Sequence, residues 1–320
     1  MHAQFQQYYI PACTTDWSGR VDGESGEHLR WHQIISCIDL RETNSLDGAF
    51  VLLGFPCDEG VQRNLGRTGA AGAPAVLRKI CANLPLLQGD NNRRLIDAGN
   101  IICEDEQLEE AQQALGVAVS LILKHGGLPI ILGGGHEVTY GHYLGLREAY
   151  NGKIGIINFD AHFDIRQSKE NQATSGTGFY QIAQMEEYLH YLPIGIQRVS
   201  NTEALFQTMQ QKQCTWIEAQ DFNRENRQQI IEEIDMFLAQ IDHLYMTIDM
   251  DVFASVYAPG VSAPAYNGIV PDNFFLHIFE KLIRSPKYRS IDFAELNPRY
   301  DIDNRTARLA ADLVFRVVGK

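Results

Sequence analysis

No apolar run in this chain approaches the ~20 residues that a membrane span requires. Nor does it have a Cys-x-x-Cys pair. Its six cysteines, at 13, 37, 57, 81, 103 and 214, are scattered. That argues against a disulfide framework or a thiolate zinc site, and for reduced thiols in a cytoplasmic setting. Basic charge is short: 27 Lys and Arg stand against 40 Asp and Glu, a net −13, which makes a nucleic-acid backbone or an anionic membrane a poor partner. The start, Met1-His2-Ala3-Gln4-Phe5-Gln6-Gln7, lacks Lys, Arg and an apolar core, so no signal peptide is expected. Familiar nucleotide and nucleophile motifs are missing too. Gly133-Gly134-Gly135 fails the Gly-x-Gly-x-x-Gly pattern at Val138, His136-Glu137 is not a zincin because Tyr140 follows, and no Gly-x-Ser-x-Gly elbow occurs.

What is present is an alternation of apolar runs and amphipathic stretches. Strands are expected at 49–55, 94–103, 128–132, 153–159, 192–196, 215–217, 244–249 and 290–296. Helices are expected at about 29–40, 74–84, 105–124, 138–150, 179–183, 202–212, 228–240, 272–283 and 304–317. Such alternation calls for a mostly parallel sheet with helices on both faces, an α/β fold. Residues 1–47, polar and weakly periodic, read as an N-terminal extension packed on a single α/β domain at 48–320. A loop with Gly60, Gly66, Gly69 and Gly72 reads either as a backbone cradle or as a flexible turn before a helix.

Three apolar runs end in metal-ligand residue types. The run 128–132 leads to His136, 154–159 leads to Asp160-Ala161-His162-Phe163-Asp164, and 244–248 leads to Asp249-Met250-Asp251. In an extended chain residues i, i+2 and i+4 face one way, so the triplet 160–164 converges if the extension persists. Burying bare carboxylates is costly, and cations would offset that cost. In parallel α/β sheets, ligands sit beyond the carboxyl ends of the strands. His136, Asp160, His162, Asp164, Asp249 and Asp251 supply four carboxylates and two imidazoles, too many for one small ion. Oxygen-rich ligation with some nitrogen suits manganese or another six-coordinate ion better than structural zinc. A pair of such ions generates a bridging hydroxide near neutral pH, and Asp164 can orient it.

These residues resemble the ureohydrolase family of arginases, agmatinases and formimidoylglutamases, over nearly everything from Ala49 onward. The resemblance rests on Gly-Gly-Gly-His-Glu (133–137), Asn-Phe-Asp-Ala-His-Phe-Asp (158–164), Thr-Ile-Asp-Met-Asp (247–251) and Ala-Glu-Leu-Asn-Pro (294–298). It implies a three-layer α/β/α arginase-like fold with about eight parallel strands. It also implies two Mn2+ per chain, C–N bond hydrolysis of a small-molecule amidine or guanidine, and a homo-oligomer, trimer or hexamer.

Within the family, arginases and agmatinases usually carry Gly-Gly-Asp-His-Ser where this chain has Gly-Gly-Gly-His-Glu. Arginases also carry a proton-shuttling histidine where this chain has Phe179. The stretches 160–166, 175–180, Ser200-Asn201-Thr202 and the loop from Arg63 to Gly72 are similar to the formimidoylglutamase branch. That implies attack of the metal-bridging hydroxide on the formimidoyl carbon of N-formimidoyl-L-glutamate, giving L-glutamate and formamide in histidine degradation. Arg166, Ser175, Asn201, Arg63 and Arg67 are then expected around the substrate's carboxylates. Glu295 is expected on its amidinium, and Asp164 as donor to the leaving amine. The alternatives are a guanidino-acid hydrolase or agmatinase that releases urea, and a non-catalytic metal-binding regulator.

Overall fold

The computed structural model describes residues 3–86, 94–168, 170 and 172–319, so the first two residues of the Met1–Gln7 stretch lie outside it. Ten strands form one sheet: β1 (Tyr9–Ile10), β2 (Ser36–Cys37), β3 (Ala49–Gly54), β4 (Arg94–Ile101), β5 (Leu128–Leu132), β6 (Ile154–Phe159), β7 (Tyr191–Ile196), β8 (Ile217–Glu218), β9 (His243–Asp249) and β10 (Tyr288–Ala294). Eight of them run parallel in the order β4-β3-β5-β10-β9-β6-β7-β8. The short β1 pairs antiparallel with β4, and β2 pairs parallel with the same strand. The sheet stays open.

Successive strand residues feed opposite faces, as the pleat requires. Leu52, Ile130, Ile157 and Ile248 join one core with the helices Ala73–Cys81, Arg227–Gln240, Asn273–Ile283 and Arg305–Val318. Val51, Leu53, Ile131 and Ile156 join a second core with Leu108–Lys124, Val138–Ala149, Gly178–Met185 and Glu203–Gln211. Both faces are therefore covered, which makes the three layers. Because both faces are covered, most strand interiors are apolar and read in the sequence as hydrophobic runs, with Asp97, Asn158, Thr247 and Asp292 as buried polar exceptions.

Strand order decides where chemistry can occur. The chain builds outward from β3 to β5, then crosses over to lay down β6, β7 and β8, and later fills the gap with β9 and β10. The crevice at such a reversal lies beyond the carboxyl ends of β5, β10, β9 and β6.

β1, β2 and Trp17 lie against β4. Trp17 Nε1 donates to Asp97 Oδ2 at 2.7 Å, and Asp97 also accepts from Arg78 Nε at 2.7 Å and Nη2 at 2.9 Å. All three side chains are buried.

Two expectations need correction. A helix over 29–40 does not form: only Trp31–Ile34 is helical, and the adjacent β-branched Ile34 and Ile35 lead into β2. Ile35 already has extended φ and ψ, which suits a side chain stiff at χ1. The helix expected from Asp105 begins at Leu108 instead. Asp105 and Glu106 turn through positive φ (47° and 62°) before it starts.

Candidate metal centre

Four strand ends meet here. After β5 the backbone turns sharply under Cys57: Gly135 N donates to Cys57 O at 2.9 Å, and a Cβ on Gly134 would collide with that carbonyl. The turn delivers His136. After β10, Glu295 adopts left-handed φ (62°). Its N–H donates to Gly134 O at 2.8 Å, while its Oε1 accepts from His136 N at 2.9 Å. The loops after β5 and β10 are thus laced together from both sides.

The triplet after β6 does not stay extended. His162 N folds back to Asp160 Oδ1 at 2.7 Å, and Asp164 takes φ 44°. A turn, not the i, i+2, i+4 alternation, brings the three ligands together. Asn201 holds that turn: its Oδ1 accepts from Phe163 N at 3.0 Å, and its Nδ2 donates to Ala161 O and Gln197 O. The fourth loop is braced in a similar way, with Asp251 N donating to Asp249 Oδ1 at 2.8 Å.

All six sequence-predicted ligands converge, in two overlapping groups. His136, Asp160, Asp164 and Asp249 form one; Asp160, His162 and Asp251 form the other. His136 Nδ1 lies 3.1 Å from Asp160, 2.9 Å from Asp164 and 3.3 Å from Asp249. His162 Nδ1 lies 3.1 Å from Asp251 and 3.5 Å from Asp160. Asp160 bridges the groups, one oxygen toward each histidine.

The charges are unbalanced. Burial, reinforced by Asp251 and Asp160, pushes the Asp249 carboxyl well above its usual range. Burial works against charge on His136, yet Asp160, Asp164 and Asp249 outweigh it and raise the imidazole pKa well above normal. At His162, burial is likewise outweighed by Asp251 and Asp160. Asp160 goes the other way: its contacts with His136 and His162 overcome burial and hold its carboxyl low. A buried site this rich in carboxylate calls for positive charge.

The second nitrogen of His136 fixes how its ring faces the acids. His136 Nε2 is 2.9 Å from Thr247 Oγ1, and Thr247 Oγ1 donates to Asp292 Oδ1 at 2.6 Å. Thr247 has spent its hydrogen, so it accepts from Nε2–H, and Nδ1, once it gives up its proton, can present a lone pair to a cation held by the acids. That tautomer is the one a metal-bound histidine needs. Asp292 also accepts from Tyr245 OH and from His142 Nδ1, the latter at 2.7 Å. Asn158 Nδ2 supports Asp160 from β6 at 3.0 Å. The donor set therefore fits two divalent ions.

Thr247, Asp292 and Asn158 were missed by sequence reading because each lies inside an apolar strand. Their polarity amid such neighbours was the available clue. Glu137 was missed as well. It is buried beneath the Gly loop, accepts from Gly60 N at 2.9 Å, and burial raises its pKa to about 8.

A cavity of about 310 Å³ opens onto the centre, lined among others by His162, Asp164, Glu295, Arg166, Ser175 and Arg67. Glu295 is buried, its Oε2 has no hydrogen-bond partner among the described residues, and burial raises its pKa to about 7. Arg67 reaches Ser262 O at 3.1 Å and Val261 O at 2.6 Å and stacks on Tyr300 at 4.1 Å. Arg63 does not join the cavity lining. Its guanidinium is taken by Glu59 at 2.8 Å, Glu109 at 2.7 Å and the Ala173 and Glu106 carbonyls. Asn201 also stays behind the ligand turn, outside that lining.

Comparison with known proteins agrees with this geometry. The profile of the arginase family matches residues 48–319. The formimidoylglutamase of Ralstonia nicotianae is 42% identical over 321 residues, covering 97% of this chain and 96% of its own. That of Nocardia farcinica is 44% identical over 316 residues, covering 94% and 95%. Among solved structures, Bacillus subtilis formimidoylglutamase superposes with a TM-score of 0.83 at 20% identity, covering 95% and 96%. Trypanosoma cruzi formiminoglutamase, solved with Mn2+, superposes at 0.79 and 25% identity, covering 91% and 97%.

Proposed function

This chain belongs to the arginase family, and on that premise we propose that it hydrolyses N-formimidoyl-L-glutamate to L-glutamate and formamide with two Mn2+. The observation that carries the reading is the pairing of one buried carboxylate oxygen without a hydrogen bond among the described residues, Glu295 Oε2, with Arg166 and Arg67 around one cavity. A formimidoyl amino acid has the matching charges: an amidinium at one end and two carboxylates at the other. Relatives named formimidoylglutamase at 42–44% identity over nearly the full chain support the same substrate.

His136, Asp160, Asp164 and Asp249 would hold one ion, and Asp160, His162 and Asp251 the other. When bound, two divalent ions supply Lewis acidity and acidify a water for attack on an amidine carbon. The chain's own residues do the rest. Glu295 Oε2 binds the amidinium and keeps it charged, which leaves its carbon electrophilic. Arg166 and Ser175 hold a carboxylate and so fix the distance from that carbon to the ligand cluster. Water adds to the formimidoyl carbon, the bond to the glutamate nitrogen breaks, and that nitrogen leaves as an amine after taking a proton. Asp164 is the donor, since it lies in the ligand cluster and also lines the cavity. On this reading the protein works in the cytoplasm as a homo-oligomer, a trimer or hexamer.

The test is a substrate panel. With Mn2+ added, purified enzyme is offered N-formimidoyl-L-glutamate, guanidino acids, agmatine and arginine, and formamide, ammonia and urea are measured together. Formamide in equal yield with glutamate is expected. Urea as the main product, or no turnover of any substrate, would overturn the reading.

A further inference from the structure

Asn64 stands between the two groups assigned to the substrate carboxylate. Arg166 Nη1 donates to Asn64 Oδ1 at 3.0 Å, and Asn64 Nδ2 donates to Ser175 Oγ at 3.0 Å. The amide has one possible orientation, because a guanidinium can only donate. Its oxygen must face Arg166, so its NH2 must face Ser175. Ser175 therefore accepts through a lone pair and keeps its own hydrogen, which makes no hydrogen bond among the described residues. Arg166 spends one N–H on Asn64 and retains its others. All three residues line the cavity.

We propose that Asn64 is a positioning residue that aims Arg166 and Ser175 together at one substrate carboxylate, and so sets the preference of this site for acidic amidines. The inference rests on the substrate reading above. Asn64 is itself well held. It closes the helix Glu59–Arg63, and its N–H donates to Gly60 O at 3.0 Å. Arg63, its neighbour, ties the same segment to Glu109 and to Ala173 O. On the other side Arg166 N donates to Gly176 O at 2.9 Å, which fixes Arg166 beside Ser175. An exposed arginine would otherwise sample many rotamers, and losing that freedom on binding weakens affinity. Asparagine suits the position because it both accepts and donates. Aspartate would accept from Arg166 but would also draw the Ser175 hydrogen away from the cavity and place negative charge beside the substrate's own.

Kinetics with N-formimidoyl-L-glutamate and with N-methylformamidine, which has no carboxylate, test this on manganese-loaded enzyme. Asn64→Leu is expected to raise KM for the acidic substrate at least about tenfold with little change in kcat. It should leave the constants for N-methylformamidine within about threefold. Asn64→Asp should be worse than Asn64→Leu. Adding Asn64→Leu to an Arg166→Ala/Ser175→Ala enzyme should change nothing further, because the residue acts through those two. Equal losses on both substrates, or a full additional loss in the triple variant, would overturn the inference. A wild-type enzyme with no preference for the acid would instead remove the substrate reading on which it stands.

Discussion

His136 Nε2 and Thr247 Oγ1 lie 2.9 Å apart, and the hydrogen between them belongs to the histidine. Thr247 is committed as a donor to Asp292, so Nε2 keeps its hydrogen and Nδ1 is the nitrogen left to exchange its proton for a metal ion. Thr247→Val keeps the buried shape but removes the acceptor. Then Nε2–H is left unsatisfied and the competing Nδ1–H tautomer gains population. Manganese affinity, measured by titrating metal-free protein, is expected to fall about 10- to 100-fold. Thr247→Ser should restore it, and the thermal midpoint of the metal-free protein should move little. Unchanged affinity in Thr247→Val would show that the relay does not orient the ligand.

Asp160 serves both metal groups, whereas Asp251 serves one. This asymmetry predicts different stoichiometries after loading with Mn2+ and dialysis. Asp251→Ala should retain about one ion per chain and lose activity. Asp160→Ala should retain neither, and chelation of the wild type followed by added Mn2+ should restore both metal and turnover. Two ions retained in Asp251→Ala would contradict the assignment, as would an Asp160→Ala enzyme that still holds one tightly.

The sequence made the centre legible because parallel strands buried on both faces leave plain apolar runs, and polar residues after such runs stand out. His136 follows β5 after a short glycine turn, Asp160 follows β6 directly, and Asp249 is the last residue of β9. Local backbone geometry was not legible in the same way. Nothing in the letters of Asp160–Asp164 announces φ 44° at Asp164, which depends on Asn201 holding the turn from a distant loop. Arg63 and Arg67 look alike in the sequence, yet Arg63 meets Glu59 and Glu109 while Arg67 lines the cavity. Only the partners within reach of each guanidinium, set by tertiary structure, separate them. The failed helix at 29–40 has the same cause, since β2 gains its stability from pairing with β4.

Thiol chemistry gives a check on the fold that is independent of metal. Burial lifts the pKa of Cys37 and Cys214 to about 11 and that of Cys81 to about 12, whereas hydrogen bonds from Thr15 lower that of exposed Cys13. Thiolate is the reacting form, so at pH 8 native protein should label first at Cys13, with Cys81 and Cys214 protected until denaturation. Mass spectrometry of the alkylated protein reads this directly. The same shifts set an alkaline limit. Well below the ordinary thiol value of about 8.5, Cys37, Cys81 and Cys214 are protonated in folded and unfolded chains alike. As pH rises from there toward 11 or 12, the unfolded chain releases protons that the folded one keeps, so stability falls with pH. Cys81→Ala leaves a small void but removes one such proton. Its denaturation midpoint should therefore lose less than the wild type's between pH 9 and 11. Parallel curves would mean that Cys81 is not enclosed as the fold requires.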